Sequence, residues 1–191
     1  YFTAKRIASV LAGDTQCLAS VWIPSRFWYE KRPSDFNFAQ WTLDHNALVE
    51  KRRKELEALG YRVTVEGQNK FELDGNAAKV TGKPDLVAFK DTEVLVSDEK
   101  TGQQRLTDHQ QCLVYVACLP LAKPDLFKGK TFRAEVVYTN GVIEIPWADL
   151  SAEKQATVFA KVRELARDQP FPTTPTPDGC LWCDIASCQD R

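Results

Sequence analysis

Three side chains within one short stretch, Asp85, Asp98 and Lys100, could do chemistry together. They lie in GKPDLVAFKDTEVLVSDEKTG, residues 82–102, which reads as two apolar runs joined by a tight polar loop, the pattern of a β-hairpin. A symmetric loop centred on Asp91-Thr92 pairs Lys90 with Glu93 and Phe89 with Val94, and the same register then sets Asp85 against Asp98. One face carries Asp85, Val87 and Phe89 opposite Val94, Val96 and Asp98, with Lys100 next along. Directly opposed residues have Cβ atoms roughly 5 Å apart. Two carboxylates so placed on an apolar face repel each other, and low dielectric makes it worse. A cation in the gap removes the conflict, and oxygen-only ligands favour Mg²⁺ or Mn²⁺. Lys100 adds an ammonium near that ion, able to orient a water or to balance charge on a phosphate. Hydrolysis of a phosphodiester needs this combination. The plainer reading, a turn acid after Pro84 beside a surface Asp98–Lys100 ion pair, fits the hairpin alone equally well.

Other residues of chemical interest are scattered. His45 falls on the apolar face of a helical pattern, among Trp41, Leu48 and Val49, where a lone histidine is more often a core residue than a ligand. Gln111 and Tyr115 are four residues apart and share one helix face. Of the six cysteines, Cys112 and Cys118 fall mid-helix, where a free thiol acts as a small apolar side chain. Cys180, Cys183 and Cys188 cluster at the C-terminus, and Cys17 is the natural fourth ligand. Four thiolates suit a closed structural zinc site or an iron–sulfur cluster, and ligand chemistry alone does not separate the two.

These residues must be positioned by the elements around them. The first forty residues read as helical but broken at Pro24 and Pro33. A helix is expected over 41–59, stopped at Gly60. Short strands follow at 62–66, 70–73 and 77–81, then the hairpin. A helix begins near Thr107, where Thr107 and Gln110 fit a capping box, and runs to about Leu119. Residues 123–126 repeat the Lys-Pro-Asp-Leu of 83–86 but lack a partner strand ending in acid-x-lysine, so they read as a loop. Strands over 132–139 and 142–147 flank Asn140-Gly141, a strong turn signal. Ser151 caps a helix with Val158, Phe159, Val162 and Leu165 on one face. A Pro-rich lead, 169–179, delivers the chain to its terminal cysteines. The expectation is one α/β domain over 1–191: a helical segment to 40, a core over 41–168 around one central sheet, and a tail that folds back.

Composition bounds the partners. With 43% hydrophobic and 27% charged residues and a formal charge of −1, the 191-residue chain is an ordinary globular sequence. It has no apolar run approaching the roughly 20 residues of a membrane span and no signal-peptide pattern, so a cytoplasmic protein is expected. A chain that opens on Tyr1 and contains no methionine reads as less than a full translation product. The run Lys51-Arg52-Arg53-Lys54 could touch phosphates, although such a run on a helix is usually a solvated face.

Pro84-Asp85 followed by Asp98-Glu99-Lys100 resembles the PD-(D/E)XK nuclease signature, and Gln111-Cys112-Leu113-Val114-Tyr115 matches the Q-x-x-x-Y element of its RecB-like branch. The cysteine bracket, one upstream and three at the C-terminus, is similar to that of the iron–sulfur nucleases within that branch. These include the small CRISPR-associated exonuclease of spacer acquisition and the nuclease domain of AddB. The resemblance covers about Lys5 to Cys188, and four residues separate Cys183 from Cys188 where the family more commonly has five. It implies a restriction-endonuclease-like core with a central mixed sheet between helices, its two ends stapled by a 4Fe-4S cluster on Cys17, Cys180, Cys183 and Cys188. It implies that His45 joins Asp85, Asp98 and the Glu99 carbonyl around Mg²⁺ or Mn²⁺, that Lys100 activates water, and that Gln111 and Tyr115 support the site. The implied activity is cleavage of single-stranded or frayed DNA, chiefly as an exonuclease. Integrase proteins are the implied partners in CRISPR adaptation, or a helicase in recombination repair or a phage. A DNA-binding module with a lapsed site is the competing class.

Overall fold

The computed structural model describes residues 1–76 and 78–190, so Ala77, the expected start of a strand, lies outside the described residues. In chain order the elements are β1 (Phe2–Thr3), α1 (Ala4–Leu11), α2 (Ala19–Arg26), α3 (Phe38–Ala58), β2 (Arg62–Val65), β3 (Phe71–Asp74), β4 (Lys79–Gly82), β5 (Leu86–Lys90) and β6 (Glu93–Lys100). They continue with α4 (Leu106–Ala122), α5 (Pro124–Phe127), β7 (Thr131–Tyr138), β8 (Gly141–Glu144), α6 (Ala152–Leu165) and α7 (Pro177–Trp182). No described helix is long and apolar enough to cross a membrane.

The strand-rich middle divides into two mixed sheets, where one was expected. Five strands run in the order β2-β5-β6-β7-β8 and three in the order β1-β4-β3. Pro84 explains the division: it has no N–H to continue a ladder, so the chain leaves one sheet at Gly82 and enters the other at Leu86. The β5–β6 register is the expected one, with Lys90 opposite Glu93, Val87 opposite Val96 and Leu86 opposite Ser97. Asp91 takes a left-handed φ of 50° in the turn, a conformation Asp tolerates. β6 then pairs β7 in parallel over its full length, so the strand bearing Asp98 and Lys100 is flanked on both sides.

Helices cover both faces of the larger sheet. From Cys112 to Leu119 every residue of α4 is buried, as a helix apolar all round requires, and it packs between the sheet, α1 and α6. On the other face α3 sets Val49 and Leu56 against Leu86, Ala88 and Leu95. Arg52 of α3 donates two hydrogen bonds to the buried Glu135 of β7, at 2.8 and 2.7 Å. Truncating either partner of such a pair costs about 3–5 kcal/mol, so it fixes the helix across the sheet.

Several boundaries differ from the sequence reading. α3 starts a turn early because the Asn37 side chain caps it, accepting from the Gln40 N–H at 3.1 Å. At α4 the cap is Arg105, whose N–H reaches Asp108, while the Thr107 hydroxyl bonds Asp14 instead. Of residues 123–126, expected as a loop, 124–126 belong to the short helix α5, whose first position is Pro124, preset to helical φ. The second hairpin turns at Thr139-Asn140, one residue early, with Tyr138 opposite Gly141. The tail does return to the N-terminal segment: Arg32 donates its N–H to the Asp184 carbonyl (3.0 Å) and Ala186 to that of Glu30 (2.9 Å).

Candidate active site

Asp85 sits at the corner where the chain enters β5, and a buried amide holds that corner. Asn69 donates its side-chain N–H groups to the carbonyls of Thr64 (3.0 Å), Pro84 (3.2 Å) and Asp85 (3.3 Å). The Glu66 N–H adds a bond to the Asp85 carbonyl at 2.9 Å, extending the β2–β5 ladder by one step. With its backbone fixed, the Asp85 carboxylate accepts the Glu99 N–H of β6 at 2.9 Å and lies 3.3 Å from Nε2 of His45 on α3. The hydrogen bond to Asp85 raises the pKa of His45, against the opposing effect of burial.

One strand over, Asp98 is 1% exposed and points into the same end of the sheet. Its Oδ2 forms an ion pair with Lys100, and its Oδ1 accepts from the Gln111 side chain at 3.3 Å. Gln111 also donates to the Tyr115 hydroxyl (2.6 Å), which reaches the Lys83 carbonyl at 3.4 Å. Gly82 permits this packing: a Cβ there would stand 2.5 Å from the Phe71 ring and 3.0 Å from that of Tyr115. Burial pushes the Asp98 carboxyl up to about 6; Lys100 opposes the rise and Asp85 adds to it. Burial also pulls Lys100 down, but the charge and hydrogen bond of Asp98 outweigh it and the ammonium is held protonated. Desolvation drives Tyr115 well above its usual range, keeping it a neutral donor.

The structure therefore brings together His45 with Asp85, and Asp98 with Lys100, Gln111 and Tyr115. It places the Glu99 side chain differently. Strand alternation turns that carboxyl to the other face, where Ser97 donates to it at 2.7 Å and its second oxygen has no partner among the described residues. Burial raises its pKa well above the carboxylate range, with the Asp85 charge adding to the effect.

Glu66 is the residue sequence reading missed. One ligand atom from each of His45, Glu66 and Asp85 falls within 4.8 Å of the others. An acid directly after β2 is the only signal in the sequence, and it means nothing until β2 is known to lie beside β5. Glu66 holds a left-handed φ of 28°, its N–H, its carbonyl and its carboxylate all engaged, the last by Lys83 at 2.8 Å. The basic run is only in part the solvated face expected, because Arg52 is turned onto the sheet and the arginines and Lys54 are engaged by acids. Arg52 is bound to Glu135 and Glu55, Arg53 to Glu50 and Glu57, and Lys54 to Glu50.

A sequence-family comparison agrees with this geometry: the model of the PD-(D/E)XK nuclease superfamily matches residues 14–188. The chain belongs to the PD-(D/E)XK nuclease superfamily. Among curated proteins none matches it. A solved structure described as "Crystal structure of SSO0001" is 14% identical, covering 76% of this chain and 68% of that chain at a TM-score of 0.46.

Far along the chain, Cys17, Cys180, Cys183 and Cys188 line one cavity of about 430 Å³. All four are half-buried and free. Among the described residues no three of these thiols lie within 4.8 Å of one another. A tetrahedral zinc would hold its sulfurs roughly 3.8 Å apart, given Zn–S bonds near 2.3 Å. Burial raises the Cys183 thiol, and the neighbouring Asp184, Cys188 and Cys17 add to that effect.

Proposed function

We propose that this nuclease is a Mg²⁺- or Mn²⁺-dependent deoxyribonuclease of the RecB-like branch, acting on single-stranded or frayed DNA, chiefly as an exonuclease. One observation carries the reading. Asp98, fully buried, is held between a protonated lysine and the Gln111 amide at the end of the sheet where the His45–Asp85 pair lies. That donor set, two carboxylates and an imidazole with a carboxyl forced up by desolvation, suits a divalent cation.

His45, Asp85 and Asp98 would hold the ion, with Glu66 beside them and the Glu99 carbonyl as a further oxygen. A bound Mg²⁺ or Mn²⁺ supplies Lewis-acid polarisation of the phosphoryl oxygen and a lowered pKa for water. The protein's own groups do the rest. The Lys100 ammonium orients the attacking water and offsets the charge that develops on the phosphate. Gln111 fixes the Asp98 carboxylate through its amide, and Tyr115 fixes Gln111. The Glu99 N–H and Asn69 hold Asp85 against recoil. Four cysteines around one roomy cavity support a 4Fe-4S cluster joining the chain's two ends, in preference to zinc. The same bracket favours a place in CRISPR adaptation, trimming prespacers alongside integrase proteins.

The test is Mn²⁺-dependent loss of label from single-stranded DNA. Lys100→Ala should slow it about 10²–10³-fold while leaving the circular dichroism spectrum unchanged. Equal loss of label from both proteins ends the catalytic assignment. A brown protein that bleaches on reduction supports the cluster, whereas a colourless, zinc-loaded one rejects it.

A further inference from the structure

Along α3 His45, Leu48, Val49 and Leu56 are buried, yet the start of the helix and the residues leading into it present aromatic rings to solvent. Phe36 is 60% exposed, Phe38 66% and Trp41 36%. These rings are not scattered. The centroid of Trp41 lies 6.3 Å from that of Phe36, 5.5 Å from that of Phe38 and 5.0 Å from the His45 ring, on which it stacks at 24°. His45 in turn is 3.3 Å from the Asp85 carboxylate. A continuous aromatic path thus runs from open solvent to the metal-binding acids. Such a patch on a surface calls for an occupant.

We propose that Phe36, Phe38 and Trp41 form a stacking platform for the unpaired bases of the strand whose phosphate is cut, and that this ladder selects single strands. The inference rests on the nuclease reading above and deepens it. The occupant follows from continuity with the acid site: whatever covers Trp41 also approaches the reacting phosphate. Its chemistry follows from the rings. A flat π face recognises another flat face, and every base has one, but a duplex keeps its faces stacked inside. Charge is not the means, because the acids near the ladder are Asp35 and Asp44, the latter held by Gln40 at 2.9 Å. Trp41 carries a second duty, since its ring packs on His45 and holds the imidazole toward Asp85.

The experiment is fluorescence anisotropy in EDTA, so that nothing is cut. The probes are a labelled oligothymidylate, an abasic strand of the same length and a hairpin duplex. Phe36→Ala/Phe38→Ala leaves Trp41 and His45 in place and should weaken oligothymidylate binding about tenfold. Binding of the abasic strand and the duplex, and the unfolding midpoint, should not change. An unchanged oligothymidylate affinity, or an equal loss on the abasic strand, overturns the proposal. So does self-association of the wild type that the double variant abolishes without affecting DNA binding, which would make a second copy the occupant. Cleavage assays with Mn²⁺ separate the two levels. Wild-type protein that cuts no DNA defeats the nuclease reading itself. Wild type and double variant that cut single strands with equal KM defeat the ladder alone.

Discussion

The chain gathers metal-ligand side chains in two places, and they are built in opposite ways. At the acid site every ligand candidate is held by something else: Asp85 by the Glu99 N–H, Asp98 by Gln111, His45 by the helix and by the Trp41 ring. The side chains come from the centre of a five-stranded sheet and from helices packed on both its faces. At the cysteine cavity the ligand candidates sit on irregular segments or, for Cys180, in the short helix α7, half-exposed, with a few surface hydrogen bonds joining the tail to residues 29–32. The difference teaches where binding energy goes. An ion entering the acid site meets a geometry the fold already supplies, so its binding shows as affinity and catalysis. A group entering the cysteine cavity must create the geometry, so its binding shows as folding of the tail.

The largest effect should therefore come from the cysteines. Without the proposed cluster the tail keeps contacts worth about 0.5–1.5 kcal/mol each, several of them exposed. Cys183→Ser should abolish the visible absorption and speed proteolysis between residues 169 and 190 on the order of a hundredfold, the effect of losing about 3 kcal/mol. Mn²⁺ affinity at the acid site, read by calorimetry, should change less than about threefold, since additivity holds for sites with no shared partners. Loss of Mn²⁺ binding together with the tail would show one cooperative unit and dissolve the contrast.

A smaller effect probes the other side. Gly82→Ala puts a methyl group 2.5 Å from the Phe71 ring and 3.0 Å from Tyr115. Overpacking of this kind costs about 1–3 kcal/mol. Tyr115 must move, and Gln111 and Asp98 with it, so both kcat and the thermal midpoint should fall while the absorption of the proposed tail cluster persists. An unchanged kcat would mean that packing does not set the acid site.

The hairpin was legible because its loop and its alternation agree, and the Asp85–Asp98 register follows from local pairing alone. The helical pattern gave His45 only as a residue on an apolar face; the family resemblance alone set it with Asp85, a contact that spans forty positions. Spacing made Gln111 and Tyr115 legible as a helical pair, and only the resemblance put them beside the acids. Glu66 was invisible for a topological reason. β2 is followed by β3 and β4, which leave for a different sheet, and only then does β5 return to lie beside β2. No local pattern encodes that return. The split into two sheets hides in the same place, at Pro84, which reads as a turn residue before it reads as a boundary. Of the aromatic patch at the start of α3 only Trp41 was legible, because the helix was expected to begin there and not at Phe38.

The smallest expected effect concerns Glu66, and two substitutions with opposite signs settle whether it is a ligand or a structural acid. In the absence of an ion its carboxylate is held by Lys83 at 2.8 Å, half-exposed, within reach of His45 and Asp85. A divalent ion bound there must draw Glu66 away from that ammonium. Glu66→Gln keeps the shape and removes the charge, so Mn²⁺ affinity should fall about tenfold, within the range seen when residues supporting a metal site are changed. Lys83→Met removes the competitor and should raise affinity about twofold to threefold, the effect of an exposed ion pair worth under 1 kcal/mol. A purely structural acid predicts another pattern: both variants lose thermal stability and neither changes Mn²⁺ affinity. Because the left-handed backbone at Glu66 is held by main-chain hydrogen bonds common to both variants, a change in affinity without a change in unfolding midpoint can only come from the carboxylate meeting the ion.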